Sequence, residues 1–138
     1  MRFNTTVSNI SPLLLYLPQA LWSEVVPTDP GSSTRHVTNS TLGYGTVSFS
    51  WQGTGIWIYG GPTASSSKYR VTMNGISIDF PNSDPNSADA KNGLLFRSHD
   101  NTTTSGTSHH IELTNLSGNS SQPLLEFDHV CHSLPKCN

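Results

Sequence analysis

Charge is what this chain has least of. Only 12% of its 138 residues are Asp, Glu, Lys or Arg, about half the usual share for a soluble protein, and the net charge is −2. That balance leaves no basic face for nucleic acid or anionic lipid and excludes those partners. No apolar run approaches the ~20 residues of a membrane span. No segment sustains a 3.6-residue period, so helices are not expected to build the core. Cysteine is limited to Cys131 and Cys137, close together in HVCHSLPKCN. They could close a short loop, and a disulfide, within or between chains, is the expectation; the alternatives are free thiols or a metal site with His129 and His132, whose spacing matches no zinc pattern.

Ser, Thr, Asn and Gly take the place of the missing charge. The glycan acceptor pattern Asn-x-Ser/Thr occurs at Asn4, Asn9, Asn39, Asn101, Asn115 and Asn119, never with Pro in the middle. Six sites exceed what this composition gives by chance, which points to a secreted glycoprotein with these asparagines exposed. MRF followed by SPLLLYLP imitates a signal peptide, but Pro12 and Pro18 interrupt it and no small-residue cleavage site follows. Met1 to Trp22 is therefore expected to belong to the domain, and any signal or anchor to lie outside this chain.

At 15.0 kDa and 33% hydrophobic content the chain suits one domain, residues 1–138, with its own core. In GTVSFSW the residues Val47, Phe49 and Trp51 alternate with Thr46, Ser48 and Ser50, the pattern of a half-buried strand. IWIYGG is apolar on both faces, so a central strand covered on each side is expected. KYRVTMNGISIDF reads as a hairpin turning at Asn74-Gly75, with Tyr69, Val71 and Met73 on one face. GLLFRS, HHIELTNL and PLLEFDHV add short strands; of His109 and His110, one ring is expected inside and the other outside. Nine to eleven such strands predict an all-β antiparallel sandwich of jelly-roll type. Asn39 falls at a strand end, where a sugar would discourage edge-to-edge pairing.

FNTTVSNISPLLLYLPQALW, VSFSWQGTGIWIYGG, YRVTMNG and LLEFDHV together resemble the extracellular β-sandwich domain of secreted or membrane-anchored proteins from mushroom-forming fungi. That family is similar to galactose-binding-like jelly rolls and carbohydrate-binding modules, and the resemblance covers nearly the whole chain. It implies that Gly53-Thr54-Gly55 belongs to the family's core hairpin and is structural. It implies a closing strand in which Glu126 and Asp128 keep the acids while His129 replaces an aromatic. Modules of similar fold use such a late Asp, with acids near the N-terminus, to hold structural calcium. Ser8 and Asn9 stand at those positions here, so neither calcium nor a cofactor is expected.

Catalysis finds little support. Asp79, Asp100, Glu112, Glu126 and Asp128 offer carboxylates, but nothing fixes a pair at the separation glycoside hydrolysis needs. Neither G-x-S-x-G nor H-E-x-x-H occurs. DPNSAD, Asp84 to Asp89, resembles half of an EF-hand loop yet has Ala88 where an oxygen ligand belongs.

The remaining chemistry is aromatic stacking with a few hydrogen bonds, the combination that binds sugar rings. Trp51 is assigned to the core. Trp57 and Tyr59 form either a second core layer or the floor of a binding surface. Tyr44, between Gly43 and Gly45, is expected on an exposed loop, while Arg97, His99 and Asp100 follow a strand in FRSHDN and Arg70 leaves its strand opposite Tyr69. These seven residues are the candidate ligand contacts of a non-catalytic glycan-binding module, with cell-wall carbohydrate as partner. The alternative is a structural ectodomain that self-associates into homo-oligomers at a cell surface, with no small ligand.

Overall fold

The apolar row Val47, Phe49 and Trp51 is buried on one side of a seven-residue strand, as its alternation predicts, and strands of this kind make up most of the computed structural model. The structure describes residues 3–31, 34–60, 68–80, 93–98, 108–117 and 124–134. In these it has twelve strands: β1 (Phe3–Ser8), β2 (Leu15–Leu17), β3 (Trp22–Val25), β4 (Arg35–Asn39), β5 (Thr46–Gln52), β6 (Gly55–Tyr59), β7 (Tyr69–Met73), β8 (Ile76–Phe80), β9 (Leu94–Arg97), β10 (Ser108–Asn115), β11 (Leu124–Phe127) and β12 (His129–Leu134). Two single 3-10 turns, Gln19–Leu21 and Ser40–Leu42, are the helical content.

Every pairing is antiparallel. The strand orders are β2-β5-β10-β7-β8, β1-β12-β6-β9 and β11-β4-β3. The five-stranded sheet faces the other two, as Phe49 on His132, Phe80 on Phe96 and Tyr16 on Phe127 record. Between the layers lies one apolar core, and the architecture is an antiparallel β-sandwich. His109 points into it and His110 out.

Asn74 and Gly75 have φ of 51° and 84°, the left-handed pair that a two-residue hairpin turn requires, so β7 and β8 pair in the predicted register. PLLEFDHV departs from its reading as one strand. Asp128 interrupts it: its N–H donates to the Tyr59 carbonyl at 2.9 Å and its own carbonyl accepts from Asn9 N–H at 3.0 Å. The chain thereby leaves the three-stranded sheet and joins the four-stranded one.

The three-stranded sheet is tied to the N-terminal segment by a buried polar cluster. Asn9 donates its amide to the Thr34 carbonyl, and its Oδ1 accepts from Thr34 Oγ1 at 3.3 Å and from His36 Nδ1 at 2.9 Å. The Tyr16 hydroxyl donates to the Asn9 carbonyl at 2.6 Å while its ring stacks on His36, centroids 4.2 Å apart. Because Asn9 Oδ1 is the acceptor, His36 carries its proton on Nδ1.

This cluster corrects the glycan assignment at Asn9. The residue is 1% exposed and its amide nitrogen is engaged, so a sugar has no room. Asn115 is corrected likewise: it is 0% exposed, with Nδ2 donating to the Thr38 carbonyl at 3.0 Å. Asn4 is exposed and Asn39 half-exposed. Asn39 does end its strand, but β4 is the middle strand of its sheet, so no sheet edge is guarded there. Asn101 and Asn119 lie outside the described residues, as does the DPNSAD segment.

Candidate functional site

Strand β6 lies between β12 and β9, and its two faces differ in burial. Ile56 and Ile58 are 0% and 2% exposed, whereas Trp57 and Tyr59, on the opposite face, are half-buried. Of the two roles that the sequence leaves open for this aromatic pair, the second core layer is not the one observed among the described residues. The rings lie on the outer face of the four-stranded sheet.

Glycine makes the surface possible. A Cβ on Gly55 would meet Trp57 Cη2 at 3.1 Å and Cζ3 at 3.4 Å, so the indole reaches back along its own strand into the room that the missing side chain leaves. Supported in this way by its own strand, such a ring is a candidate platform. Directly opposite Trp57 stand Cys131 on β12 and Arg97 on β9, and opposite Tyr59 stands His129. The Tyr59 and His129 rings stack with centroids 4.6 Å apart and planes at 15°. His129 Nδ1 is 3.3 Å from Asp128 Oδ2, and Cys131 Sγ is 3.3 Å from Thr6 Oγ1 on β1.

A β-bulge aims Arg97. Between Ile58 and Tyr59 the β6–β9 register shifts, so that Leu95 and Phe96 both face the core. The Leu95 carbonyl is taken by the Tyr69 hydroxyl at 2.7 Å, and burial pushes the Tyr69 phenol well above its usual pKa, keeping it a donor. One residue on, the alternation resumes with Arg97 outward and exposed. Ser98 then closes the strand, exchanging bonds of 3.0 Å with Ile56 through its N–H and its Oγ. The backbone under Arg97 is fixed on both sides; its guanidinium has no carboxylate partner among the described residues.

Three candidates therefore converge: Trp57, Tyr59 and Arg97. Two others do not. Arg70 is on the outer face of the five-stranded sheet, gripped by Asp79 through bonds of 2.6 and 3.1 Å, which raises its pKa and lowers that of Asp79. Tyr44 is 64% exposed as expected, but its neighbour Gly45 packs on Thr38 and Trp22, which sets it beside the three-stranded sheet rather than the four-stranded one. His99, Asp100 and Cys137 lie outside the described residues. His129 and Asp128 were missing from the predicted contacts, although continuing the in-out alternation of the closing strand past Asp128 brings His129 to the face that Cys131 shares.

The positions that the resemblance associates with calcium do meet, through the Asn9 N–H to Asp128 carbonyl bond. The Asn9 carboxamide is used by Thr34 and His36 instead. Among the described residues no three His, Cys, Asp or Glu side chains cluster as a metal would require.

As chemistry, the platform offers stacking surface, one cation, one imidazole and one carboxylate. Elsewhere, Glu126 is 3.4 Å from Arg35 and Asp79 is held by Arg70. Ser50 Oγ and His110 Nδ1 are 2.8 Å apart, on a sheet face where the N–H groups of β5 and β10 are committed to the ladders.

No protein-family model matches this chain, and no curated protein matches it in sequence. Among solved structures it is similar to a family two carbohydrate esterase from Cellvibrio japonicus, with a TM-score of 0.61 and 10% identity over 98% of this chain and 35% of that one. The chain thus spans about a third of that protein's length, and the likeness is one of fold.

Proposed function

We propose that this chain is a non-catalytic, jelly-roll glycan-binding module of a secreted or cell-surface glycoprotein, and that sugar rings dock on Trp57 with Tyr59, His129 and Arg97 around them. The observation that carries this reading is the register of β9, β6 and β12, which sets a supported indole beside a cation and a stacked ring pair on one outer face of the sheet. An aromatic platform flanked by hydrogen-bonding groups suits the apolar face and hydroxyl rim of a pyranose. The similar solved structure is described as a carbohydrate esterase, and a fold shared with about a third of such a protein is compatible with an accessory role. Affinity for one ring would be modest and would grow by multivalency. A glycan array probed with the deglycosylated protein tests this: Trp57→Ala should cost at least tenfold in binding to any glycan found while the melting temperature stays within a few degrees. Tyr44→Ala and Arg70→Gln should leave binding unchanged.

One observation favours the structural ectodomain, at the surface of a fungal cell as the sequence resemblance suggests. Edge strands β2 and β8 carry exposed apolar side chains, with Leu15 at 51% and Ile76 at 71%. Self-association through them would appear as a dimer or larger species in sedimentation, removed by Leu15→Lys or Ile76→Lys.

A further inference from the structure

We infer, resting on the glycan-binding reading, that the platform selects sugars bearing a carboxylate, the uronic acids, and that Arg97 is its specificity residue. The described part of the chain has three arginines, and two are already neutralised by carboxylates: Arg35 by Glu126 and Arg70 by Asp79. Arg97 is exposed and has no such partner among the described residues, and it stands directly across from Trp57. A planar guanidinium matches a planar carboxylate through two parallel N–H to oxygen bonds. A ring lying on Trp57 would therefore present an equatorial carboxylate to it at the neighbouring strand.

The charge around the platform points the same way. Asp128, the carboxylate at its rim, has Oδ2 3.3 Å from His129 Nδ1, and the other outward positions on β1 and β12 are Asn4, Thr6, Ser8 and Cys131. Among the described residues Arg97 is the cation of this face, and the carboxylate nearby lies against an imidazole rather than against the guanidinium. A neutral glycan would use the stacking surface and leave the guanidinium unused. An acidic one uses both.

The test compares the whole protein's binding to oligogalacturonate, to the uncharged galactan of the same length and to a sulfated galactan, by calorimetry at low and raised salt. Oligogalacturonate should bind best, weakening as salt rises, and Arg97→Gln should lower its affinity roughly five- to tenfold, as expected for an exposed charge-assisted pair. Arg97→Lys, which keeps the charge but not the fork, should recover only part of that loss, and neither variant should shift the melting temperature. If the neutral and acidic glycans bind alike and Arg97→Gln changes nothing, carboxylate selection is wrong while glycan binding stands. A preference for the sulfated galactan overturns the carboxylate assignment. If a broad array and all three polymers fail to bind, the glycan-binding reading itself falls.

Discussion

Asn9 is where the fold and the secretory reading can be tested against each other. Its side chain makes three hydrogen bonds, one donated to the Thr34 carbonyl and two accepted from Thr34 Oγ1 and His36 Nδ1, at 1% exposure. Cutting it back to Ala removes all three and strands a carbonyl and an imidazole N–H in the interior. At about 1 kcal/mol for each neutral hydrogen bond, and about 1–3 where a buried partner is left unsatisfied, Asn9→Ala should cost roughly 3 kcal/mol. A sandwich of this size should then melt roughly 10 °C lower, read by circular dichroism with a urea titration alongside. Ser11→Ala is the companion variant: it destroys the acceptor pattern but leaves Asn9 in place, and Ser11 Oγ accepts only a long 3.3 Å bond from Leu13 N–H. In a secretory host it should leave the mass of attached glycan unchanged. An Asn9→Ala protein that melts within ~2 °C of the parent, or a glycan found on Asn9, would refute the placement of this residue as a buried hub.

Trp51→Ala should cost about 3–5 kcal/mol in urea denaturation, since the indole is buried against Phe49 and His109. Trp51→Phe should cost far less, because it keeps an aromatic ring in the space that Ala would leave empty and gives up only an indole N–H that is buried without a partner among the described residues; equal losses for the two would contradict the packing of this ring in the core. Gly53→Ala should prevent recovery of folded protein, measured as yield and circular dichroism, because the new Cβ would lie 1.9 Å from the Ser133 carbonyl oxygen, a backbone atom that cannot turn aside. Burial lowers the pKa of both His132 and His36, the latter against the opposing charge of Glu24. The unfolded chain, with histidines near 6.5, therefore binds protons first on acidification: stability should hold above about pH 6.5 and decline below it until the folded-state values are reached. The urea midpoint should be lower at pH 5.5 than at 7.5, and less so in His132→Phe; a midpoint that rises on acidification would contradict both assignments.

Local signals were legible where one face met the core and one met water. Val47, Phe49 and Trp51 declare their strand, and Asn74-Gly75 declares its hairpin together with the register that sets Arg70 against Asp79. That cross-strand pairing follows from the turn alone, and it already separates Arg70 from Arg97, which has no such hairpin partner. What escaped depended on contacts distant in the chain. Asn115 matches the acceptor pattern over three residues, yet its burial is decided by Thr38, 77 positions away. IWIYGG is apolar on both faces, and only the placement of the opposite sheet reveals which face is open. WSEV and RHVTN carry no clean alternation, so β3 and β4, whose interior contacts are Trp22, His36 and Thr38 rather than aliphatic residues, left no pattern to read.

The pairing of β1 with β12, Phe3 opposite Leu134 through Ser8 opposite His129, carries a consequence for biosynthesis. A ribosome delivers the first strand long before its neighbour exists, and β6, bearing Trp57 and Tyr59, must likewise wait for β12 to give it a flank. Until the final dozen or so described residues have emerged, the nascent chain holds an unpaired edge and an uncovered apolar row, the species most prone to misassociation. Sugars on Asn4, attached while that first strand still waits, would keep it soluble during the interval, so the acceptor's value would lie in the seconds of synthesis more than in the finished protein.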